Sequence, residues 1–418
     1  MGFLMGGSNS AQAQKLSAIQ IQTMGYGAPI QLCYGSNRVS PTLGYSTDFT
    51  ATYKESGKGG GSGSYTYTAT IMLFMGEGTL GGYGKVWKDK DIYDTTTLAG
   101  FSHSTTGTAS QALWGDLLPA HQDQALTYAG TAYLSAKDYD LGQGASLGNH
   151  SVEVRGHALS STATDVNYTD AYIRDIISDF LTNPHYGAIS ASTATLPLAL
   201  SRLHTYTQAA GLLISPLISS QKPAHEYLSE WATVANCGIV WSEGTLKFIP
   251  YDDENLSGNG VSYQADTVIR YHFDDDNLST PLKPTRKKHI DCYNKLSIEC
   301  LNRANAYNKH TVEAKDQAEI EQYGLRQAQT LSLESVCLPD VAQKIAYNLL
   351  SRGLYIRNEY QLHTCCDADF LEPLDFVTVT DANLGLHATR CRIIALEDEQ
   401  DGNLIITVEE APEGVYHG

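Results

Sequence analysis

Two early segments of the chain alternate between aromatic or aliphatic residues and small polar residues. The first runs from Tyr45 to Tyr53 and the second from Tyr65 to Leu73. A period of two places the apolar side chains on one face of a β-strand. Residues 56–64, which lie between these segments, are almost entirely Gly and Ser, a composition that buries little apolar area. The pattern predicts a long, protruding β-hairpin with a mobile tip.

A helical pattern replaces the alternation farther along the chain. Apolar residues from Ile173 to Leu181 recur at i, i+3, i+4, i+7 and i+8, which predicts one buried helix face. We predict Asp170 as the cap of this helix and Asn183-Pro184 as its end. Further elements predicted in this middle segment are a helix over Leu198–Ala210 that stops at Gly211, a helix with Pro223 in its first turn, and a hairpin from Ile239 to Ile249.

Strand patterns return in the last third of the chain. The predicted strands are Lys295–Cys300, Phe376–Val379, Cys391–Ile394 and Leu404–Val408, and one helical stripe predicts a helix over residues 340–351. The fold class predicted from all these patterns is α+β, predominantly β. Its three predicted parts are a β domain over residues 1–160, an α+β middle module over 161–265, and a second β domain over 266–418.

The charge of the chain limits its function. Its 418 residues include 28 Lys and Arg against 46 Asp and Glu, a net charge of −18. Sequence-independent binding of nucleic acid gains its affinity when Lys and Arg neutralise phosphates and release their counterions. A chain this acidic neutralises few phosphates, which argues against such binding. An acidic surface would instead let DNA pass without holding it. No apolar run approaches the roughly 20 residues that cross a bilayer, and the N-terminus lacks the features of a secretory signal.

No motif in the sequence indicates a catalytic, cofactor-binding or metal-binding residue. The eight cysteines lack zinc-type spacing and predict reduced, mostly buried thiols, with Cys365 and Cys366 on opposite faces of a strand. The glycines of residues 76–84 are not followed by a helical pattern, so they predict tight turns with positive φ rather than a phosphate-binding loop. The acidic runs Asp274–Asn277 and Asp398–Asn403 predict solvated turns rather than calcium loops. The abundant carboxylates leave a glycosidase-type pair open.

One basic run, Lys283–His289, stands out in this acidic chain. It either meets an acidic patch on a neighbouring subunit, with Asp274–Asp276 as a candidate, or forms an exposed loop that contributes little. The sequence leaves both interpretations open.

Five stretches carry a resemblance that spans residues 10–412. The stretches are Gly76–Asp89, Tyr128–Tyr133 with Ser151–Gly156, the hairpin that ends at Trp241–Pro250, Tyr293–Arg326, and Leu371–Val377. In this order they resemble the hub region of siphophage tail-tip proteins, a family that includes the tip-attachment proteins of lambda-like phages and the hub proteins of gene transfer agents. The chain departs from the family pattern in having Thr79 where Pro is usual and Leu374 where Gly is usual.

The resemblance implies a non-enzymatic structural protein without a cofactor, located at the tail tip of the virion and assembled in the host cytoplasm. It implies a homotrimer whose two β-barrel-like domains per subunit form a pseudo-sixfold ring that closes the tail tube. The implied partners are the tail tube, distal tail and tape measure proteins and a central fibre or receptor-binding protein, with DNA passing through an enclosed channel. An alternative from a different class is an extracellular β-rich protein that binds or hydrolyses glycans.

Overall fold

The computed structural model describes residues 29–55, 63–157, 159, 170–187, 198–399 and 402–415. Within these ranges the protein is α+β and consists mostly of strands, as predicted. The first strands are β1 Leu32–Cys33, β2 Ser36–Val39, β3 Thr42–Lys54, β4 Ser64–Glu77, β5 Leu80–Lys88, β6 Asp91–Tyr93, β7 His103–Thr106, β8 Thr131–Gly142, β9 His150–His157, β10 Ala171–Tyr172, β11 Leu198–Ala199, β12 Leu213–Ile214 and β13 Leu217–Ile218.

The remaining strands lie in the second half of the chain, and the helices are distributed over both halves. The strands are β14 Cys237–Ser242, β15 Thr245–Pro250, β16 Leu256–Gly258, β17 Val261–Tyr263, β18 Ile269–Phe273, β19 Lys283–Arg286, β20 Lys295–Asn302, β21 Asn308–Lys315, β22 Leu331–Leu333, β23 Asn358–Thr364, β24 Phe376–Asp381, β25 Leu386–Asp398 and β26 Leu404–Glu410. The α-helices are α1 Leu118–His121, α2 Ile173–Thr182, α3 Ser201–Ala210, α4 Ala224–Val234, α5 Gln317–Tyr323 and α6 Pro339–Tyr355. No helix in the described ranges is long and apolar enough to cross a membrane.

The chain divides into two compact units. The N-terminal unit comprises Met1–Thr169 with Ser215–Gln221, and the C-terminal unit comprises Asp170–Ile214 with Lys222–Gly418. The domain boundaries predicted at residues 160 and 265 remain predictions.

In the N-terminal unit, two four-stranded sheets share one apolar core. Their strand orders are β3-β4-β8-β7 and β2-β9-β5-β6. Ile71 and Leu134 from the first sheet and Val152 from the second are fully buried in this core. The predicted hairpin is confirmed as β3 and β4, which pair antiparallel with Tyr53 opposite Tyr65. Residues 56–62 of the predicted tip lie outside the described residues.

The C-terminal unit contains a six-stranded sheet in the order β18-β24-β25-β26-β23-β19. Its core is formed by buried aliphatic residues such as Val377, Ile393 and Ile406. A three-stranded sheet, β11-β15-β14, packs against α3 and α4, and a second one, β21-β20-β22, packs against α6. In the part of the chain that the structure describes no sheet closes on itself, so the barrel-like domains that the resemblance implied are open sheets instead.

Several predicted element ends are corrected by long-range contacts. Tyr172 occupies the cap position of α2 without a capping side chain, and Asp170 does not cap the helix. Asp170 instead accepts two hydrogen bonds from Arg303, at 2.6 and 3.0 Å. A carboxylate held by a guanidinium in this way is not available to the first turn of the helix. The predicted end at Asn183 is confirmed.

The next two predicted helices begin later than expected. Helix α3 starts at Ser201 because Leu198–Ala199 pairs in parallel with β15, while Gly211, at φ +71°, ends it as predicted. Pro223 is the cap of α4 and not part of its first turn. Six of the seven cysteines whose side chains are described are buried, as predicted, but Cys365 lies beyond β23 and Cys366 in a short 3-10 turn, so neither belongs to a strand.

Candidate functional site

A cleft of about 260 Å³ in the C-terminal unit brings together side chains of both charges. Its lining combines the start of α3, strand β15, the segment leading into β18, and the loop before β24. We call it the charged cleft. Its charged lining residues are Arg202, Lys247, Asp252, Asp266, Arg270, Glu372 and Asp375.

The most buried ion pair of the charged cleft joins Arg202 to Asp252. The Asp252 side chain is 1% exposed, and its two oxygens lie 2.9 and 3.1 Å from Nη2 of Arg202. Nε of Arg202 donates to the hydroxyl of Tyr263 at 2.8 Å, and that hydroxyl donates to Asp252. Burial opposes the charge on Arg202, but Asp252 and Tyr263 together raise the pKa of Arg202 above its ordinary value. Asp252 is thus held as a paired carboxylate and is not available as a general base.

A second pair joins β15 to the loop before β24. Nζ of Lys247 lies 2.6 and 2.7 Å from the two carboxylate oxygens of Glu372, and the hydroxyl of Ser242 donates to the same carboxylate at 2.6 Å. Burial would raise the pKa of Glu372, but the hydrogen bonds from Lys247 and Ser242 and the charge of Lys247 lower it below its ordinary value. This pair fixes the loop to the hairpin β14–β15.

The third charged group of the cleft is Asp375, which is held less strongly. One of its oxygens accepts the backbone N–H of Glu372 at 3.0 Å, and the other lies 3.7 Å from Nε of Arg270. Arg270 pairs more closely with Asp266, at 2.8 Å. Burial is the main reason that the pKa of Asp375 is raised. Each cation of the cleft therefore faces a carboxylate, which suits cross-linking of elements or contact with a polar partner rather than bond-making chemistry.

No catalytic, cofactor or metal residue was predicted, and the described residues contain no group of three or more His, Cys, Asp or Glu placed to hold a metal ion. The turn at Asp274–Asn277 is confirmed: the backbone N–H of Asp276 donates to the Asp274 side chain, and that of Asp274 to the Asn277 side chain. In the second acidic run, Asp398 ends β25 and Asn403 precedes β26, while Asp401 lies outside the described residues.

The glycine-rich segment is mostly strand, and the predicted tight turn is confirmed only at Gly78, between β4 and β5. Gly78 has φ +75°, and a Cβ there would lie 2.0 Å from the ring of His157; Gly82 also has a positive φ. Strand β5 follows, and not a helix, so the geometry of a phosphate-binding loop is missing.

The first four residues of the basic run form an exposed strand, whereas Lys287 and Lys288 lie in an exposed connection that leads to a short 3-10 turn at His289–Asp291. Lys283–Arg286 is strand β19, which pairs with β23 at the edge of the six-stranded sheet. Lysine and proline on an edge strand discourage uncontrolled strand pairing.

The residues that resemble the hub family in Tyr293–Arg326 hold local structure. The buried Asn294 donates to the carbonyl of Gly324 at 2.8 Å and accepts the backbone N–H of Arg326 at 2.7 Å. Asp316 caps α5 by accepting the backbone N–H of Glu319 at 2.9 Å. The motif therefore encodes a turn and a helix cap, not a reactive site.

The sequence interpretation missed the charged cleft. Glu372 and Asp375 lie inside the stretch that resembles the hub family, but were noted there only as part of a strand entry. Lys247 carried a local signal, because it is the one charged residue in an apolar strand, Leu246–Ile249. For Arg202 and Asp252 no local signal exists, since they lie 50 residues apart and meet only in the fold.

Part of the C-terminal unit is similar to a known protein family. Residues 223–396 match the model of a family described as "Putative phage tail protein". This segment of the chain is therefore similar to that family. The matched segment contains six of the seven charged residues of the charged cleft and leaves out Arg202. No curated protein sequence matches the chain.

One solved structure resembles the fold of this chain over almost its full length. A chain from the virion of a native gene transfer agent particle is 16% identical, with a TM-score of 0.65, and the match covers 98% of this chain and 90% of that chain. The 43 kDa tail protein of prophage MuSo2 from Shewanella oneidensis is 10% identical, with a TM-score of 0.36 and coverage of 89% and 100%. A tail protein from Neisseria meningitidis MC58 is 10% identical, with a TM-score of 0.38 and coverage of 93% and 97%.

Proposed function

We propose that this protein is a structural hub subunit at the tail tip of a long-tailed phage or of a phage-like gene transfer particle. The observation that carries the proposal is the similarity of fold, at a TM-score of 0.65 and over 98% of this chain, to a component of a gene transfer agent virion. A match along the whole chain supports a shared architectural role better than a match to one module would.

In this role the chain is a homotrimer that closes the tail tube. Tail tube, distal tail and tape measure proteins contact it on one side, and a central fibre or receptor-binding protein on the other. The net charge of −18 supports a channel that DNA traverses without being retained.

The charged cleft supports a structural role over an enzymatic one. Asp252 and Glu372 are each held by a cation at hydrogen-bond distance, so neither is poised as a nucleophile or a general acid. Asp375 has a raised pKa, and its ion pair is the weakest in the cleft. Because a glycosidase needs a carboxyl group with a raised pKa as its general acid, the glycan-hydrolysing alternative depends on Asp375.

Native mass spectrometry of the purified chain tests the proposal. We expect a species of three copies, and particle images should show threefold symmetry at the tail tip. A strictly monomeric chain that hydrolyses a glycan would overturn the proposal, provided that Asp375→Asn abolishes the activity and that Asp275→Asn, at an exposed turn, does not.

A further inference from the structure

Four large apolar side chains lie exposed beside the basic run. Their exposed fractions are 74% for Ile290, 48% for Tyr293, 49% for Tyr323 and 59% for Leu325. Single exposed apolar residues are ordinary on protein surfaces, but a contiguous group indicates an interaction site.

Contacts within the C-terminal unit hold the two segments that carry these residues, 289–294 and 323–326, against each other. The ring of His289, next to Ile290 in sequence, lies 4.3 Å from the ring of Tyr323. The guanidinium of Arg326 contacts His289 and lies 5.7 Å from the Tyr323 ring centre. Because Asn294 holds both Gly324 and Arg326, the segment that carries Leu325 is fixed beside the segment that carries Tyr293.

Basic side chains lie next to this apolar group. Lys287 and Lys288 directly precede His289, and both are exposed. Nζ of Lys287 donates to the carbonyl of Ile356 at 3.4 Å and lies 3.9 Å from the carboxylate of Glu359, and no ion pair of Lys288 is found among the described residues. We call Lys287, Lys288, Ile290, Tyr293, Tyr323 and Leu325 the basic-apolar patch.

The charge of the whole chain indicates what the patch binds. A positive patch flanked by apolar side chains fits an acidic protein surface, because the apolar residues supply buried area and the lysines supply complementary charge. Acidic residues outnumber basic ones by 46 to 28 in this chain, so its other faces offer the matching charge. The patch repels a second copy of itself, so a contact between copies is heterologous, and heterologous contacts that close generate rings.

We propose that the basic-apolar patch docks on an acidic face of the neighbouring copy and forms the interface between subunits of the tail-tip ring. This proposal rests on the homotrimer of the proposed function and names the surface that builds it.

The test compares the native mass of three chains over a range of concentrations: the wild type, Lys287→Glu/Lys288→Glu, and Lys85→Glu/Lys90→Glu. The last variant makes the same charge change at exposed lysines of the N-terminal unit. We expect the patch variant to require at least a tenfold higher concentration to assemble, and the control to assemble like the wild type. A second variant, Ile290→Asp, serves if the charge variant misfolds. Ile290 is 74% exposed, so this substitution should weaken assembly without unfolding the chain.

The outcomes separate the two proposals. A trimeric wild type with trimeric patch variants overturns the docking surface and leaves the hub intact. A wild type that stays monomeric at every concentration overturns the homotrimer and the docking surface together. Trimeric patch variants that have lost a wild-type affinity for DNA or for anionic vesicles would assign the patch to phosphate binding instead.

Discussion

In the N-terminal unit, long antiparallel ladders and aromatic side chains hold the strands together, whereas in the C-terminal unit charged pairs link separate elements. Phe49 stacks on Tyr67 at 5.5 Å, and Tyr53 lies 5.1 Å from Tyr65, so rings follow the hairpin β3–β4 outward from the core. In the C-terminal unit, Arg202–Asp252, Lys247–Glu372 and Arg303–Asp170 join segments far apart in sequence. Within the described ranges, most ion pairs lie in this second unit.

The difference between apolar packing and ion pairs predicts how the stability of each unit responds to pH and salt. Aromatic and aliphatic packing does not depend on protonation and, unlike an ion pair, is not screened by moderate salt. Ion pairs depend on both partners being charged, and buried ones are costly to break because one charge is left without its partner. The N-terminal unit should therefore respond mainly to lost volume and the C-terminal unit mainly to lost charge.

The largest effect should come from Asp252→Ala, which leaves the guanidinium of Arg202 and the hydroxyl of Tyr263 without their shared acceptor. We expect the free energy of unfolding of the C-terminal unit to fall by about 3–5 kcal/mol. Hydrogen exchange measured by mass spectrometry in increasing urea reports each unit separately. Asp275→Ala is the matched control, since that carboxylate is exposed. Equal effects of the two substitutions would contradict the importance of the buried pair.

A volume change in the N-terminal unit comes next. Ile71→Ala removes a fully buried side chain from the core shared by the two sheets, and should cost about 2–4 kcal/mol. Ile92→Ala, at a position 59% exposed, should cost less than about 0.5 kcal/mol. The same exchange experiment at low and high salt sharpens the comparison, because the effect of Ile71→Ala should not change with ionic strength. A strong salt dependence would mean that charge also stabilises this unit.

A smaller effect should appear as pH dependence in the C-terminal unit. The folded pKa of Glu372 is lowered from 4.5, so its contribution is present above pH 4.5 and is lost as the pH falls through the folded pKa. Glu372→Gln should flatten this acid limb and cost less than about 1 kcal/mol at neutral pH, because the pair is partly exposed. Asp375 acts in the opposite sense, since its raised pKa favours the protonated folded state, and Asp375→Asn should leave the acid limb of Glu372 in place. Unfolding curves between pH 3 and pH 7 give both results.

The same contrast explains how far the sequence could be interpreted. The hairpin β3–β4, the apolar face of α2 and the last strands were predicted because their period is visible within ten residues. Asp170 was misassigned because Arg303, its partner, lies 133 residues away. The charged cleft draws on four segments, and no local pattern shows that they converge. Whether a sheet closes into a barrel depends on the twist and tilt of all its strands, which single strand patterns do not encode.

The smallest effect concerns backbone strain in the loop of the charged cleft. Leu374 has φ +76°, in the left-handed region that favours glycine, at the position where the resembling family has Gly. The left-handed conformation destabilises a residue with a Cβ by about 1 kcal/mol or more. The Leu374 side chain, however, also packs closely over Gly238, which stabilises the loop.

Two substitutions of Leu374 separate the cost of the backbone strain from the contribution of the side-chain packing. Leu374→Ala keeps the strain and loses the packing, whereas Leu374→Gly loses both, so the glycine variant should be more stable than the alanine variant by about 1 kcal/mol. Elsewhere in a folded chain the order of Ala and Gly is usually the reverse. Urea unfolding of the two variants measures the difference. If alanine proves the more stable, the loop relaxes away from the left-handed conformation without cost, and the Lys247–Glu372 pair holds it less rigidly than the contacts indicate.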